Sequence, residues 1–594
     1  MKSHIKISTK WWTMPAWWSL TLVALFVAGL LLASPAHAAG VVGNGTPASC
    51  TEAALMAVLT GGGTVTFNCG EKSFIFTSEK VIMQDTVIQG GKIIIFNGGG
   101  TTRLFRVVAP AKLTLSDLAL EKGYNPNEGG AVLNLGTLAL NNVRVKDNAS
   151  GTCGGAIWTQ GAAIISNSLF DNNSAVSGGG AICTAAFGAP SVQITNSVFQ
   201  KNGVAQAGAI GGYGGAISLN ATATLTSAGA EFRENKAQFG GALAVLPGAT
   251  ATVRGKLGEG GYTFRDNSGT HSGGAIYNLG SLNLYDASVG DNFIPSNLTV
   301  NGYGGGVASL GTLTVHNSIF YSNEGLTGGG LYLAGGLDSS RADLQQVSIE
   351  NNRVKHNGGG IFADNTTLTI TNTNISSNKA QGSGGGLACA QCARVRVSNS
   401  SFITNTAAYG GGLYVSAAVS GYAHVESVTF SGNQAFTSRG GAVYNQGDLD
   451  LYFSSLANNG NGLHSGPGAN TRLRGSVLYN PGYTNCGSEG TVQYSNDGAN
   501  HVSDNSCGPQ FSAKGDPKLG PLQFELQQQY RPTFFHLPLA GSPLINKGPG
   551  DCPERDQRGM LRPDACDIGT VEFGGLLPAP NPTGYPVYLP IIVR

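Results

Sequence analysis

Three acidic residues, Glu234, Asp266 and Asp291, each stand immediately before an Asn in recurring segments of the chain. Stacked carboxylates are the raw material of a calcium site or of a polysaccharide-cleaving centre. Left unpaired at close spacing they would repel and raise one another's pKa, so something must relieve them. A bound Ca2+ would do so, and so would Arg233 and Arg265, which stand one position earlier. The arginines need no ligand, whereas a calcium site needs about six or more oxygens. The expectation is an acid row neutralised by arginine, with no free base for catalysis and no cofactor, Ca2+ being the one candidate. The nine histidines are scattered without a close metal-binding pair. Cys389 and Cys392 have redox-motif spacing, but they lie between strand-like segments and no further zinc ligands are near. A local disulfide across a turn is expected there.

A repeat positions these residues. A Gly-Gly-Ala or Gly-Gly-Gly step followed by an aliphatic residue recurs at Val132, Ile157, Ile182, Ile217, Leu243, Ile276, Val307, Leu331, Ile361, Leu387, Leu413 and Val443. After each comes an apolar residue three before an Asn, as in Phe170 to Asn173, Phe199 to Asn202, Phe232 to Asn235 and Phe264 to Asn267. Between the two lie alternating segments such as Leu313-Thr314-Val315, with the period of a strand that buries one face. Short strands without any helical period predict an all-β, single-stranded right-handed parallel β-helix, in which each strand pairs with its copy about 4.8 Å away in the next turn. Stacked Phe rings, a ladder of Asn amides and glycine at the tight corners follow from that register. The solenoid should run unbroken from Val132 to Asn459.

The step from ladder Asn to aliphatic marker is longest between Asn202 and Ile217 and between Asn292 and Val307. These insertions carry Tyr213, Phe293 and Tyr303, which the coil does not require. Loops on a rigid scaffold are where binding residues concentrate, so these three are the candidate ligand contacts.

The two ends differ from the middle. Lys2, Lys6 and Lys10, the apolar run Leu20 to Leu32 and Ala36-His37-Ala38 predict a cleaved secretory signal over 1–38, hence a secreted or cell-surface location. The mature chain offers no run near the roughly 20 apolar residues of a membrane span. Ser49 to Glu52 has a capping-box pattern that opens a short helix through Leu59, and residues 39–128 read as an N-terminal cap with the first coils. Residues 129–459 are the repeats, 460–577 closing coils with a C-terminal module, and 578–594 a Pro-rich linker with a short apolar tail. Exported chains favour disulfides, and local loops pair Cys50 with Cys69, Cys486 with Cys507 and Cys552 with Cys566. Cys153 and Cys183 are expected to stay unpaired, because they stand four before and one after their aliphatic markers. With 35 Lys plus Arg against 34 Asp plus Glu, no overall field draws nucleic acid.

The Gly-Gly-Ala-aliphatic and Phe-x-x-Asn elements resemble the repeats of the polymorphic outer membrane protein family over Gly129 to about Asn459. The end differs, because that family closes in an autotransporter barrel with a terminal aromatic residue and this chain ends Ile591-Ile592-Val593-Arg594. Gly45 to Cys69 with Thr101 to Phe105 is similar to the first coils of pectin-lyase-like β-helices. Ser542 to Gly548, Asp556 to Gly559, Arg562-Pro563 and Cys566 to Glu572 resemble the choice-of-anchor Q module, whose charges are expected to pair with each other. The resemblances imply a non-catalytic, adhesin-like surface protein that meets a matrix, a cell or a polysaccharide; the alternative is a lyase or hydrolase of polysaccharides.

Overall fold

Alternation decides which side chains enter the coil. In the strand Ala162–Ser166, Ala163 and Ile165 are buried while Ile164 points out. The computed structural model describes residues 40–575, apart from 205–210, 258–259, 296–301, 336–339, 392–393, 418–421, 491, 512–513, 525–532 and 564. The expected signal segment and the Pro-rich tail lie outside the described residues, as does Cys392.

The chain winds into a right-handed parallel β-solenoid of about 17 turns. One turn shows the plan: Ile157–Thr159, then Ala162–Ser166, Leu169–Asp171 and Ser174–Ala175. The first strand belongs to a 16-stranded sheet, the next two to a 32-stranded sheet, and the last to a small sheet of 6 strands, with 5 more strands continuing that side further along. Pairing is in register, Ile157 with Ile182 and Phe170 with Phe199, so chain order becomes stacking order. The 16-stranded sheet reaches from Lys80–Ile82 to Cys486–Ser488, beyond both ends of the glycine repeat.

Two ladders hold the corners. Asn173 sits in the core, where its main-chain N–H and its Nδ2 both donate to Asn202 Oδ1, at 3.0 and 2.9 Å. Its Nδ2 also donates to Val145 O at 3.0 Å. The same pattern links Asn148 onward through Asn459, and continues to Asn480 and Asn485, where the glycine pairs are already gone. Inside this ladder Phe170, Phe199, Phe232 and Phe264 stack with centroids 4.6, 5.1 and 4.8 Å apart. Each fully buried ring contributes about 1.5–3 kcal/mol. At the other corner the glycine pair is obligatory: a Cβ on Gly155 would lie 2.2 Å from Gly180 O and from Ser174 O.

Caps close the stack at both ends. The helix is Glu52–Leu59, and its N-cap is Thr51, whose Oγ1 accepts from Ala54 N at 3.1 Å. This corrects the capping box expected at Ser49, which instead ends a 3-10 turn over Pro47–Ser49. Glu52 is drawn away to Thr77 and the buried Lys80, whose Nζ also lies 4.3 Å from the Phe76 ring centroid. Those bonds outweigh burial and lower the Glu52 pKa. Disulfides join Cys50 to Cys69, Cys486 to Cys507 and Cys552 to Cys566, and Cys389 is also oxidised. At the far end Cys507 and Phe511 fold over into the main core.

The C-terminal module lies along the flank of the solenoid, not across its end. Gln557 Nε2 donates to Ser400 O at 3.1 Å, its Oε1 accepts from Thr429 Oγ1 at 2.6 Å, and Gly569 N donates to Gly475 O at 2.7 Å. Its charges pair with each other: Arg558 with Asp556 at 2.7 Å and Arg562 with Glu572 at 2.9 Å.

Candidate ligand-contact face

The expectation for Cys153 and Cys183 is overturned, and the reason exposes a rule. They form a disulfide. Gly154 has φ of 70°, and its Cβ would strike Ile157 O, so the corner folds tightly back on the strand that follows. The residue four before a marker therefore lies diagonally against the residue one after the marker of the next turn. Counting positions along a straight register hides this neighbour.

The same diagonal assembles aromatic rings. Phe239 meets Tyr277 with centroids 5.0 Å apart, Tyr303 meets Tyr332 at 4.5 Å, and Tyr409 meets Tyr444 at 5.7 Å. Straight stacking adds Phe362 on Tyr332 at 5.5 Å and Tyr444 on Tyr414 at 5.7 Å. The result is an aromatic face that runs along the 16-stranded sheet and the corner it shares with the small sheets, which supply Phe239 and Tyr409 with Tyr213 and Tyr303 bridged to them, in three groups: Tyr213, Phe239 and Tyr277; Tyr303, Tyr332 and Phe362; and Tyr409, Tyr414 and Tyr444. Of these only Tyr444 is buried; the others are half-buried and reach the surface.

Polar groups flank the rings. Phe362 and Asp364 lie two apart on the strand Ile361–Asp364 and so project to the same side. Asp364 Oδ1 is buried with no hydrogen-bond partner. In the third group Gln446 is clasped by two phenols, accepting from Tyr414 Oη at 2.7 Å and donating to Tyr444 Oη at 3.1 Å. His464 packs on Tyr444 with centroids 5.4 Å apart, and its Nε2, 3.8 Å from Glu489, is too far for a hydrogen bond. Burial, with Arg439 nearby, lowers the His464 pKa against the pull of Glu489. Burial pushes the Tyr332 phenol up to about 12, with Tyr303 and Asp364 adding to the shift. The Tyr332 hydroxyl is a neutral donor at ordinary pH.

Of the ligand contacts expected from sequence, Tyr213 and Tyr303 fall on this face. Phe293 does not: it bridges to Ser268 and Glu324, whereas Tyr303 bridges to Ser272 at the other end of that small sheet. Phe293 is 40% exposed and has no ring contact among the described residues. Tyr277, Tyr332, Phe362 and Tyr414 escaped sequence reasoning, because a lone aromatic after the marker reads as any outward strand residue. Aligning that one position across the copies would have found them.

The acid row does not assemble as a site. Glu234, Asp266 and Asp291 occupy the bend before the ladder Asn, with φ of 54°, 55° and 56°, a left-handed conformation that Asp and Asn tolerate better than most. They are stacked and solvent-exposed. Arg265 bonds Glu231 at 2.9 Å and lies 3.4 Å from Asp266, but Arg233 turns to Gln200 and Glu231 rather than to Glu234. The cause is the period of two, which puts Arg233 and Glu231 on one face while the bend turns Glu234 aside, to Lys201 at 4.0 Å. Although the residue is exposed, partial desolvation of its carboxyl and then Asp266 push the Asp291 pKa up. Among the described residues no group of three or more His, Cys, Asp or Glu side chains converges to hold a metal.

A second polar cluster lies on the 32-stranded sheet near the C-terminal module. Asp450 is 4% exposed and held by Tyr422, His424 and Arg472. Those hydrogen bonds lower its pKa against burial, and Asp450 with Glu426 pushes His424 up to about 9. It is a set of charge pairs.

The fold and its faces define a class: a repeat-built β-solenoid with an aromatic flank. Three segments, 167–185, 261–279 and 427–446, match the Chlamydia polymorphic membrane protein repeat. Each match runs from the second strand of the large sheet through the ladder Asn and the glycine corner into the 16-stranded sheet, which is one coil without its first strand of the large sheet. No curated protein and no solved structure matches the chain. Among the described residues no helix is long and apolar enough to cross a membrane.

Proposed function

We propose that this chain is a non-catalytic, adhesin-like protein of the cell exterior, which meets its ligand through the aromatic face of the 16-stranded sheet. One observation carries the reading: the fold does not need these rings. The outward position that holds Tyr277, Tyr332 and Tyr414 holds Ser218, Ala244, Ala308 and Ala388 in other turns of the same in-register sheet. Rings that a scaffold does not require, clustered on one rigid face, are what binding surfaces are made of.

The repeat's namesake, a polymorphic membrane protein, supports an exterior location, as does the signal pattern over 1–38. The pectin-lyase-like first coils and the choice-of-anchor Q character of the C-terminal module are part of the same proposal. The charge pairs of that module and its seat on the flank suit a structural role.

The test replaces Tyr303, Tyr332 and Phe362 together with Ala and compares attachment to immobilised matrix proteins, glycans and cells. Truncating central aromatics commonly costs more than about 2 kcal/mol in total, so attachment should fall at least about tenfold while the unfolding midpoint moves little. Unchanged attachment of the folded variant to every surface that holds the parent would refute the proposal.

A further inference from the structure

We infer that the aromatic face binds a neutral, hydroxyl-rich polymer, a linear polysaccharide without acidic sugars, running along the solenoid axis with its main subsite at Tyr303, Tyr332, Phe362 and Asp364. This rests on the contact face proposed above and names its ligand. Shape comes first. Rings recur from coil to coil at the roughly 4.8 Å spacing, interrupted once where Ala388 stands between Phe362 and Tyr414, so they form a track rather than a pocket. A long ligand suits a track; a compact one does not.

The chemistry of the track removes the other polymers. A peptide commonly docks by adding a strand to an open sheet edge. Here the strands that carry the rings are paired on both sides, Tyr332 between Ala308 and Phe362, and Phe362 between Tyr332 and Ala388. No edge is open for such pairing at the subsite. Single-stranded nucleic acid stacks on aromatics but also needs cations along its backbone. Arg439 stands beside the third aromatic group, and Glu489 already holds it at 2.5 Å.

What the face leaves unsatisfied points to hydroxyls. Asp364 Oδ1 is a buried acceptor without a donor, next to the stacked Tyr332 and Phe362 rings. His464 Nε2 is a second buried polar atom without a hydrogen-bond partner, next to Tyr444. A buried group of this kind costs about 1–3 kcal/mol until something bonds it. An anionic ligand would suit the imidazole but meet Asp364 and Glu489. A cationic one would suit Asp364 but meet Arg439, which shares Glu489 with His464. A hydroxyl donates to the carboxylate and can either donate to or accept from the imidazole, and a sugar ring places its apolar C–H groups beside the aromatic side chains.

The experiment is affinity electrophoresis of the full chain in gels that contain linear β-glucan, xylan or mannan, with pectate and alginate as the acidic comparison. At least one neutral polymer should retard the protein, and the retardation should persist at high salt because no ion pair is involved. Asp364→Ala and Phe362→Ala should each weaken it about tenfold. Asp364→Asn, which keeps an acceptor oxygen and the side-chain size, should stay within about threefold and guards against a folding artefact. Equal or stronger retardation by the acidic polymers, or an Asp364→Ala protein that runs like the parent, overturns the inference. So does the absence of any retardation by neutral polymers. If attachment to matrix proteins still falls in the triple aromatic variant, the glycan assignment fails and the contact face stands; if nothing depends on the rings, both fail.

Discussion

Asn173→Leu is expected to destabilise the solenoid by about 3–5 kcal/mol, although it exchanges a buried polar residue for an apolar one of similar size. The cost arises in the neighbours. Asn148 donates to Asn173 Oδ1 from its main-chain N–H at 3.1 Å and from its Nδ2 at 2.9 Å, and both donations would lose their acceptor in the core. Val145 O would lose the donation from Asn173 Nδ2. Each buried group left unpaired costs about 1–3 kcal/mol. Trp158 is the one tryptophan after residue 38 and lies in the same turn, so its fluorescence during urea unfolding reads the change directly. A loss below about 1 kcal/mol would mean that the ladder is not a cooperative load path.

The second large effect comes from the smallest possible addition. Gly155→Ala places a methyl 2.2 Å from Gly180 O and 2.2 Å from Ser174 O, backbone atoms that cannot swing away. Relief requires neighbouring turns to separate, which also breaks the 3.0 Å bond from Gly155 N to Gly179 O. Overpacking of about 1–3 kcal/mol and a lost hydrogen bond of about 1 kcal/mol put the expected loss on the order of 3 kcal/mol. In a solenoid the damage stays local, so limited proteolysis should open new cuts between residues near 150 and 183 and leave the far coils intact. Gly61→Ala, where a Cβ meets nothing within 4 Å, is the control and should change little.

The solenoid was legible because its evidence repeats. Every Gly-Gly-Ala-aliphatic step and every Phe-x-x-Asn step reports the same inward positions, and an in-register parallel stack turns repetition in the chain into contact in space. Asn480 and Asn485 were missed because the ladder outlives the glycine pairs that marked it. The helix start was misread because Glu52 had a better partner in Lys80, distant in sequence, than in its own N-terminus. The contact face was half legible. Tyr213 and Tyr303 stood out because they sit on long insertions, but Tyr332, which meets Tyr303, lies one turn on and five positions further along the repeat, and Tyr277 lies two turns on from Tyr213. Cys153 and Cys183 obey the same diagonal, which only the folded glycine corner reveals. Phe293 had the same credentials as Tyr303 in sequence, and the two were separated by the length of one small sheet.

The most direct test of the aromatic face as the contact surface is hydroxyl-radical footprinting of the full chain, free and bound to the immobilised surface that retains it. Oxidation of Tyr303, Tyr332, Phe362 and Tyr414 should fall on binding, whereas Ile164 and Phe187, exposed elsewhere at 40% and 60%, should react as before. Protection confined to Phe293, to the outer face of the 32-stranded sheet or to the C-terminal module, with the aromatic face still fully reactive, would contradict the account.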